Sequence, residues 1–263
     1  MAMAKPAAVE LTHPERWAAS PISSRRGMKC RIVTLTALFL AAAACSNGNE
    51  PRTPADDPMA ASPWVQPPNI AGVAVDRGTL VVTGAAGPAA RVVLRGGDGA
   101  AAAVTADAAG RFELRLPAPA TPMVFTPEVL VGEVASQSPT RLVIIPGGPV
   151  ALMASGQATR RFDGSGVLAA VDSDGAATQV VGRGDAPASI TVDGQASPAS
   201  PLPSGGWRAM LIGAGARRIE VGGRSYAYPG AASEQDGVER VGAGWRVSMS
   251  TPPTGRQTTW LPD

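Results

Sequence analysis

The sequence predicts an all-β protein, with two antiparallel β-sandwich domains that follow a cleaved signal peptide and a proline-rich tether. From residue 70 onward, short runs of alternating apolar and polar residues are separated by Gly, Pro, Asp and Asn. This alternation is typical of strands with one buried and one solvated face, and turn residues at this spacing favour a sandwich or barrel. No window has the periodicity of an amphipathic helix, because the 31 Gly and 25 Pro residues interrupt the many alanines.

The first domain is predicted to span residues 70–147. Its clearest strand is 111–116, in which the residues at 112, 114 and 116 are apolar and the two between them are charged. This strand follows an Asp-x-x-Gly turn at 107–110, whose residue types suit turn geometry. Its other strands are predicted at 79–83, 91–94 and 103–105.

The second domain is predicted to span residues 148–263. Its clearest hairpin joins 218–221 to 224–228 through Gly222 and Gly223, since a Gly-Gly loop accepts the positive φ angles that two-residue turns need. The other strands are predicted at 180–181, 189–192, 207–211, 239–241, 245–249 and 258–261.

Two apolar runs, 142–145 and 150–153, lie on either side of the predicted boundary at residues 147–149. Periodicity alone does not distinguish a strand in a core from a strand at a buried interface. Both interpretations therefore remain open for these runs.

The stretch 80–116 resembles the small bacterial Ig-like and carboxypeptidase-regulatory-like modules. The shared pattern is a strand, a Gly/Pro turn, a Val-rich strand, a Gly-rich hairpin and an Asp-x-x-Gly turn before an aromatic strand; here it falls at 84–88, 91–94, 96–99 and 107–112. A fainter echo appears around 206–211. The resemblance implies two Ig-like sandwiches with a binding or spacer role, and it transfers no functional residue.

The N-terminal region contains the features of a secretory signal. Lys29 and Arg31 precede an apolar run at 32–40, and the small residues 42–44 stand directly before Cys45. The run is too short for a spanning helix, which needs about 20 apolar residues. Residues 28–44 are therefore predicted to be a signal peptide.

Residues 42–45 resemble the lipobox of bacterial lipoproteins, although Ala42 stands where that family usually has Leu. The resemblance implies that Cys45 becomes the acylated first residue of the mature chain, anchored in a membrane. Ser46, rather than Asp, follows the cysteine, which by the same resemblance favours the outer membrane on its periplasmic side. Two alternatives are an ordinary secretory signal and a twin-arginine signal that uses Arg25 and Arg26.

Two segments flank the signal. Residues 1–27 are polar, lack periodicity and precede a second candidate start at Met28, so they are interpreted as a start-site artefact or a disordered extension. Residues 45–69 carry six prolines and are predicted to form an extended tether between lipid and fold. Trp64 lies near the end of this tether.

The composition after Cys45 excludes several kinds of chemistry. Six of the 23 Lys and Arg residues and two of the 21 acidic residues precede Cys45, which leaves 17 basic and 19 acidic residues and a charge of −2. No basic stripe remains for nucleic acid. No His, Lys or further Cys follows Cys45, which excludes Ser-His, Cys-His and Schiff-base catalysis and the usual zinc ligands. No catalytic residue, metal ligand or cofactor is predicted.

Two short motifs are interpreted as turns. Asp172, Ser173, Asp174 and Gly175 match the start of a calcium loop, but a calcium site needs about six oxygens and the next acid is Asp185. A hairpin turn accounts for the motif, because Asp and Gly suit turn geometry. The tripeptide at 183–185 matches a cell-adhesion motif, and it too is interpreted as a turn.

Aromatic residues of the second domain are the candidate ligand or partner surface, with two arginine neighbours predicted to form an exposed basic strip. On alternating strands such aromatics more often fill a core. The candidate surface consists of Trp207, Arg208, Trp245, Arg246 and Trp260, with Tyr226 and Tyr228 nearby.

These features together predict a non-catalytic, lipid-anchored envelope protein with an interaction, assembly or scaffold role and an envelope protein as its partner. One alternative is a glycan-binding module that uses the aromatics. Another is a carboxylate-dependent hydrolase, which needs two acidic side chains about 5–10 Å apart across a cleft.

Overall fold

The computed structural model describes residues 65–131, 134–164, 166–187, 189–233, 235–251 and 255–263. Within these ranges the chain forms 21 strands in four antiparallel sheets and no helix, so the prediction of an all-β, antiparallel sandwich fold is confirmed. The predicted extension 1–27, the signal 28–44, Cys45 and Trp64 lie outside the described residues, as does the tether up to residue 64. None of the described residues forms a helix with the length and hydropathy of a membrane span.

The first ten strands build two sheets, which we name sheet A and sheet B. In chain order they are β1 (Asn69–Asp76), β2 (Thr79–Ala85), β3 (Arg91–Gly96), β4 (Ala101–Thr105), β5 (Arg111–Pro117), β6 (Met123–Val131), β7 (Val134–Gln137), β8 (Thr140–Ile144), β9 (Val150–Ala154) and β10 (Arg160–Arg161). Sheet A has the order β1-β2-β5, and sheet B has the order β10-β9-β8-β6-β3-β4 with β7 paired to β6.

The remaining eleven strands build sheet C and sheet D. They are β11 (Leu168–Ser173), β12 (Ala177–Gly182), β13 (Ser189–Val192), β14 (Gln195–Pro198), β15 (Ser200–Pro201), β16 (Trp207–Ile212), β17 (Arg217–Val221), β18 (Arg224–Tyr228), β19 (Gly237–Arg240), β20 (Gly244–Thr251) and β21 (Gly255–Pro262). Sheet C has the order β15-β16-β12-β11-β21-β20-β19, and sheet D has the order β14-β13-β17-β18.

Sheets A and B enclose the first core, which alternation along the strands creates. On β5, Phe112 and Leu114 are buried, whereas Glu113 and Arg115 between them face solvent and form an ion pair at 2.7 Å. From sheet B, the core receives apolar residues of β3, β6, β8 and β9. Burying each large apolar side chain stabilises the fold by about 1.5–3 kcal/mol.

Sheets C and D enclose the second core, which is richer in aromatic residues. Trp207 lies over Gly182, its cross-strand partner, so closely that a Cβ at residue 182 would lie 2.0 Å from the indole ring. The rings of Tyr228 and Trp260 are 6.0 Å apart and tilted. The glycine opposite Trp207 is what allows this large side chain to lie flat on the sheet.

A third core lies between sheets B and C and joins the two sandwiches. Val143 and Met153 on sheet B, which point away from the first core, pack with Ala170, Val247 and Leu261 of sheet C. Sheets B and C are therefore covered on both faces, which explains why β9 and β11 are buried at every position. The four sheets form a stack in the order A, B, C, D, and all described residues belong to one compact unit.

This third core answers the question left open for the apolar runs 142–145 and 150–153. Leu142, Ile144 and Leu152 face the first core, and the residues that alternate with them face sheet C. Strands β8 and β9 pair with each other in sheet B. The predicted boundary between residues 147 and 148 therefore falls in the turn of one hairpin.

Candidate functional site

The tryptophans of the candidate surface lie mainly in the interior. Trp207 is 0% and Trp260 is 1% exposed, both in the second core. Their indole Nε1 groups donate to backbone carbonyls, Trp207 to Arg183 at 3.2 Å and Trp260 to Val241 at 3.3 Å. Tyr226 and Tyr228 share this core. Rings enclosed in this way do not offer a stacking platform to a ligand in solvent.

The remaining members of the candidate surface lie on opposite faces of sheet C. Trp245 is half-buried against the third core, and the Arg240 guanidinium lies 5.3 Å from the centre of its ring. Because successive side chains of a strand point to opposite faces, Arg246 points toward sheet D. There Arg246 donates to Glu239 at 2.9 Å and to the carbonyl of Gly230 at 3.1 Å. Arg208 is exposed on the face toward sheet B. The two arginines therefore do not form the predicted basic strip.

The structure instead reveals a row of side chains across the face of sheet C that is turned toward sheet B. The register pairs Met210 with Gln179, Gln179 with Asp172, and Asp172 with Thr259, so the four side chains are direct neighbours on β16, β12, β11 and β21. Exposure falls along this polar row from 56% at Met210 through 8% and 5% to 0% at Thr259. Sheet B thus covers one end of the row and leaves the other open.

Asp172 is the chemically distinctive member of the polar row. Its Oδ2 accepts the backbone N–H of Thr159 at 2.9 Å, and its Oδ1 accepts the hydroxyls of Thr159 and Thr259, each at 2.6 Å. Burial raises the pKa of the Asp172 carboxyl, and these hydrogen bonds, together with one from Gln179, oppose that rise. Because Thr159 precedes β10 of sheet B, the carboxyl links the two sandwiches.

A cleft opens at the exposed end of the polar row, and we name it the shoulder cleft. Its volume is about 430 Å³, and it lies between the 155–157 turn of sheet B and the ends of β11, β12, β16 and β21. The Oε1 atom of Gln257, a residue that is 4% exposed, is buried there and accepts no hydrogen bond from the described residues. The cleft thus joins buried hydrogen-bonding groups to the exposed residue Met210.

The Asp-rich motif at 172–175 is a hairpin, as predicted, but the turn begins later than expected. Asp172 and Ser173 belong to β11, and the turn starts at Asp174, where its Oδ1 accepts the amides of Ala176 and Ala177. These amides, Ala177 first, lower the pKa of Asp174. Across the described ranges, no three His, Cys, Asp or Glu side chains are grouped to hold a metal.

Sequence reasoning missed the polar row because it treated Asp172 as a turn residue. One signal was available: Asp172 continues directly from the apolar run 167–171, so a longer strand would have placed an acid in a buried position. The pairing of Asp172 with Thr159 and Thr259 had no such signal, since it joins residues 13 and 87 positions apart.

Comparison with known proteins adds no family to this description. No family model matches the chain, and no curated protein matches it.

Proposed function

We propose that this protein is a non-catalytic lipoprotein of the bacterial envelope, anchored through acyl chains on Cys45, that acts as an interaction or assembly subunit. The observation that carries the proposal is the third core, because it holds the two sandwiches together as one body. The shoulder cleft beside this core then offers a contact face of fixed geometry. Several acyl chains on Cys45 would anchor the protein stably, whereas one acyl chain alone binds a membrane only marginally.

The contact face consists of the exposed side of β16 and the adjoining shoulder cleft. Met210 and Ile212 are 56% and 92% exposed, and Arg208 lies on the same side of the strand. Exposed apolar side chains next to an arginine and a polar cleft are typical of an interface with a protein partner. We infer that the partner is a protein of the envelope, and that Ser46 directs the lipoprotein to the outer membrane.

The two alternative functions have less support from the described side chains. Glycan stacking relied on five aromatics, four of which lie in the second core. Carboxylate hydrolysis requires two acids that face a cleft, but Asp172 is held by Thr159 and Thr259, and Asp174 by its own turn.

Site-specific photo-crosslinking in intact envelopes tests the proposal. A photoreactive residue at Met210 should give one stoichiometric protein adduct, whereas the same residue at Val75, which is 50% exposed on β1, should not. The variant Cys45→Ala should lose fatty-acid labelling, leave the membrane fraction and form less adduct. Capture of glycan alone from position 210 would favour the glycan-binding alternative. Fatty-acid labelling that persists in Cys45→Ala would contradict the lipid anchor at Cys45.

A further inference from the structure

A second cavity at the junction of the two sandwiches is lined by arginines. Its volume is about 340 Å³, and it lies between the 159–162 segment of sheet B and two segments of sheet C, 181–184 and 204–206. Arg160, Arg161 and Arg183 line it, and its lining includes no carboxylate. We name it the arginine cavity.

Two of the three arginines are fixed by protein acceptors. Arg161 is almost fully buried; it binds Asp163 through two nitrogens and donates to the carbonyl of Pro262 at 2.6 Å. Arg160 donates to the carbonyl of Ala71 at 3.1 Å and lies over the ring of Phe162. The carboxylate of Asp163 neutralises the charge of Arg161, whereas the carbonyl of Ala71 leaves the positive charge of Arg160 in place.

Arg183 is less well satisfied than the other two. Its Nη2 atom is buried and forms no hydrogen bond with the described residues, and the nearest Asp163 oxygen is 3.7 Å away. Burial lowers the pKa of Arg183, and the charge of Arg161 lowers it further, while Asp163 partly compensates. A buried guanidinium with an unused donor is costly unless a ligand completes it.

Four glycines form part of the remaining lining of the cavity. Gly182, Gly184, Gly205 and Gly206 carry no side chain, and a Cβ at residue 206 would meet the Gly182 carbonyl at 2.3 Å. The cavity volume of about 340 Å³ leaves room beside the arginines for a ligand of several heavy atoms.

We propose that the arginine cavity binds a phosphomonoester, either in solution or at the end of a larger envelope molecule. Three guanidinium groups and the carboxylate of Asp163 leave a surplus of two positive charges. A phosphomonoester carries about −1.5 to −2 at pH 7 and matches this surplus, whereas a carboxylate neutralises half of it. The planar fork of arginine also suits phosphate oxygens. The site goes beyond the proposed function and stands without it.

Thermal unfolding of the full chain in a neutral detergent tests this site. Inorganic phosphate and glycerol 3-phosphate should raise the Tm by about 5–10 °C at about 100 times Kd, relative to chloride at equal ionic strength. Acetate should raise it less. Micelles that contain phosphatidic acid show whether a lipid-borne phosphate also reaches the site. An unchanged Tm in every phosphate arm overturns the proposal without any variant.

Variants separate ligand binding from a structural ion pair. Arg183→Gln should abolish the phosphate-dependent rise while leaving the Tm in chloride unchanged or higher, because it removes a buried, incompletely bonded charge. Arg217→Gln is the matched control, since Arg217 forms its ion pair with Asp193 at 3.1 Å on sheet D; it should keep the full rise. A phosphate effect that survives in Arg183→Gln overturns the assignment to this cavity.

Discussion

The two halves of the contact between sheets B and C differ in what holds them together. One half is apolar, with Val143, Met153, Val247 and Leu261 packed out of reach of water. The other half is the polar row, in which hydrogen bonds to Asp172 replace apolar contacts. We infer that the apolar half supplies the free energy that joins the sandwiches, whereas the polar half fixes their alignment and leaves an opening that a partner can use.

The largest expected effect comes from removing a side chain in the apolar half. Met153→Ala should lower the free energy of unfolding by about 2–5 kcal/mol, because it leaves a cavity at a fully buried position. Met210→Ala, at the open end of the polar row, should change it by about 0.5 kcal/mol or less. Urea unfolding monitored by tryptophan fluorescence measures both.

The shape of the same unfolding curves tests whether the third core couples the sandwiches. One transition that shifts as a whole in Met153→Ala is expected if the two sandwiches unfold together. Two transitions in the unmodified chain, of which the variant moves one, would contradict the coupling and with it the comparison of the two halves.

The second prediction concerns the pH dependence that Asp172 confers. Burial raises its pKa, so between the unfolded value near 3.9 and the higher folded value the native state retains a proton that the unfolded chain has released. The stabilisation from this proton is complete below about pH 3.9 and disappears as the pH rises through the folded pKa. Asp172→Asn should therefore gain stability over the unmodified chain by up to about 1.4 kcal/mol per pH unit in that window.

An exposed aspartate provides a control of opposite sign. The Arg218 amide lowers the pKa of Asp193, so its stabilisation is present above about pH 3.9 and is lost as the pH falls through its folded pKa. Asp193→Asn should therefore lose stability relative to the unmodified chain as the pH rises toward 3.9. Denaturant titrations between pH 3 and about pH 8 measure both differences. A difference for Asp172→Asn that falls with pH would refute the raised pKa.

A small effect is expected at Gln257 in the shoulder cleft. Gln257→Met should leave the free energy of unfolding unchanged or raise it by about 1 kcal/mol, because it removes a buried acceptor that lacks a donor. Gln179→Met should instead lower it by about 1 kcal/mol, since Gln179 bonds both Arg208 and Asp172. Calorimetric melts of the two variants in parallel decide the point; a loss of stability in Gln257→Met would show that its oxygen is satisfied.

Local features of the fold were predictable from the sequence because they depend on neighbours along the chain. The alternation in 111–116 gives a strand with Phe112 and Leu114 inside, as found in β5. The loop at Gly222 and Gly223 joins β17 to β18, with both glycines at positive φ. Such signals lie within a few residues of the structure they specify.

Features that join distant parts of the chain were not predictable in the same way. The run 150–153 is apolar at every position, which indicates burial on both faces but does not identify the sheet on each side. The candidate surface was misplaced for a related reason, since alternation assigned Trp207 and Trp245 to inner faces without showing that those faces lie on opposite sides of sheet C. Which faces of two sheets pack together depends on contacts between distant segments, and no single stretch of sequence specifies those contacts.

The interior position of β21 in sheet C determines when the molecule can be completed during synthesis. This strand pairs with β11 on one side and β20 on the other, and it covers the outer face of sheet B through Leu261. A nascent chain that has finished both sheets of the first sandwich therefore still exposes part of the apolar face around Val143 and Met153 until residues 255–262 have emerged. Chains that stop early display this apolar face, and quality-control factors that bind exposed apolar surface can recognise them as incomplete.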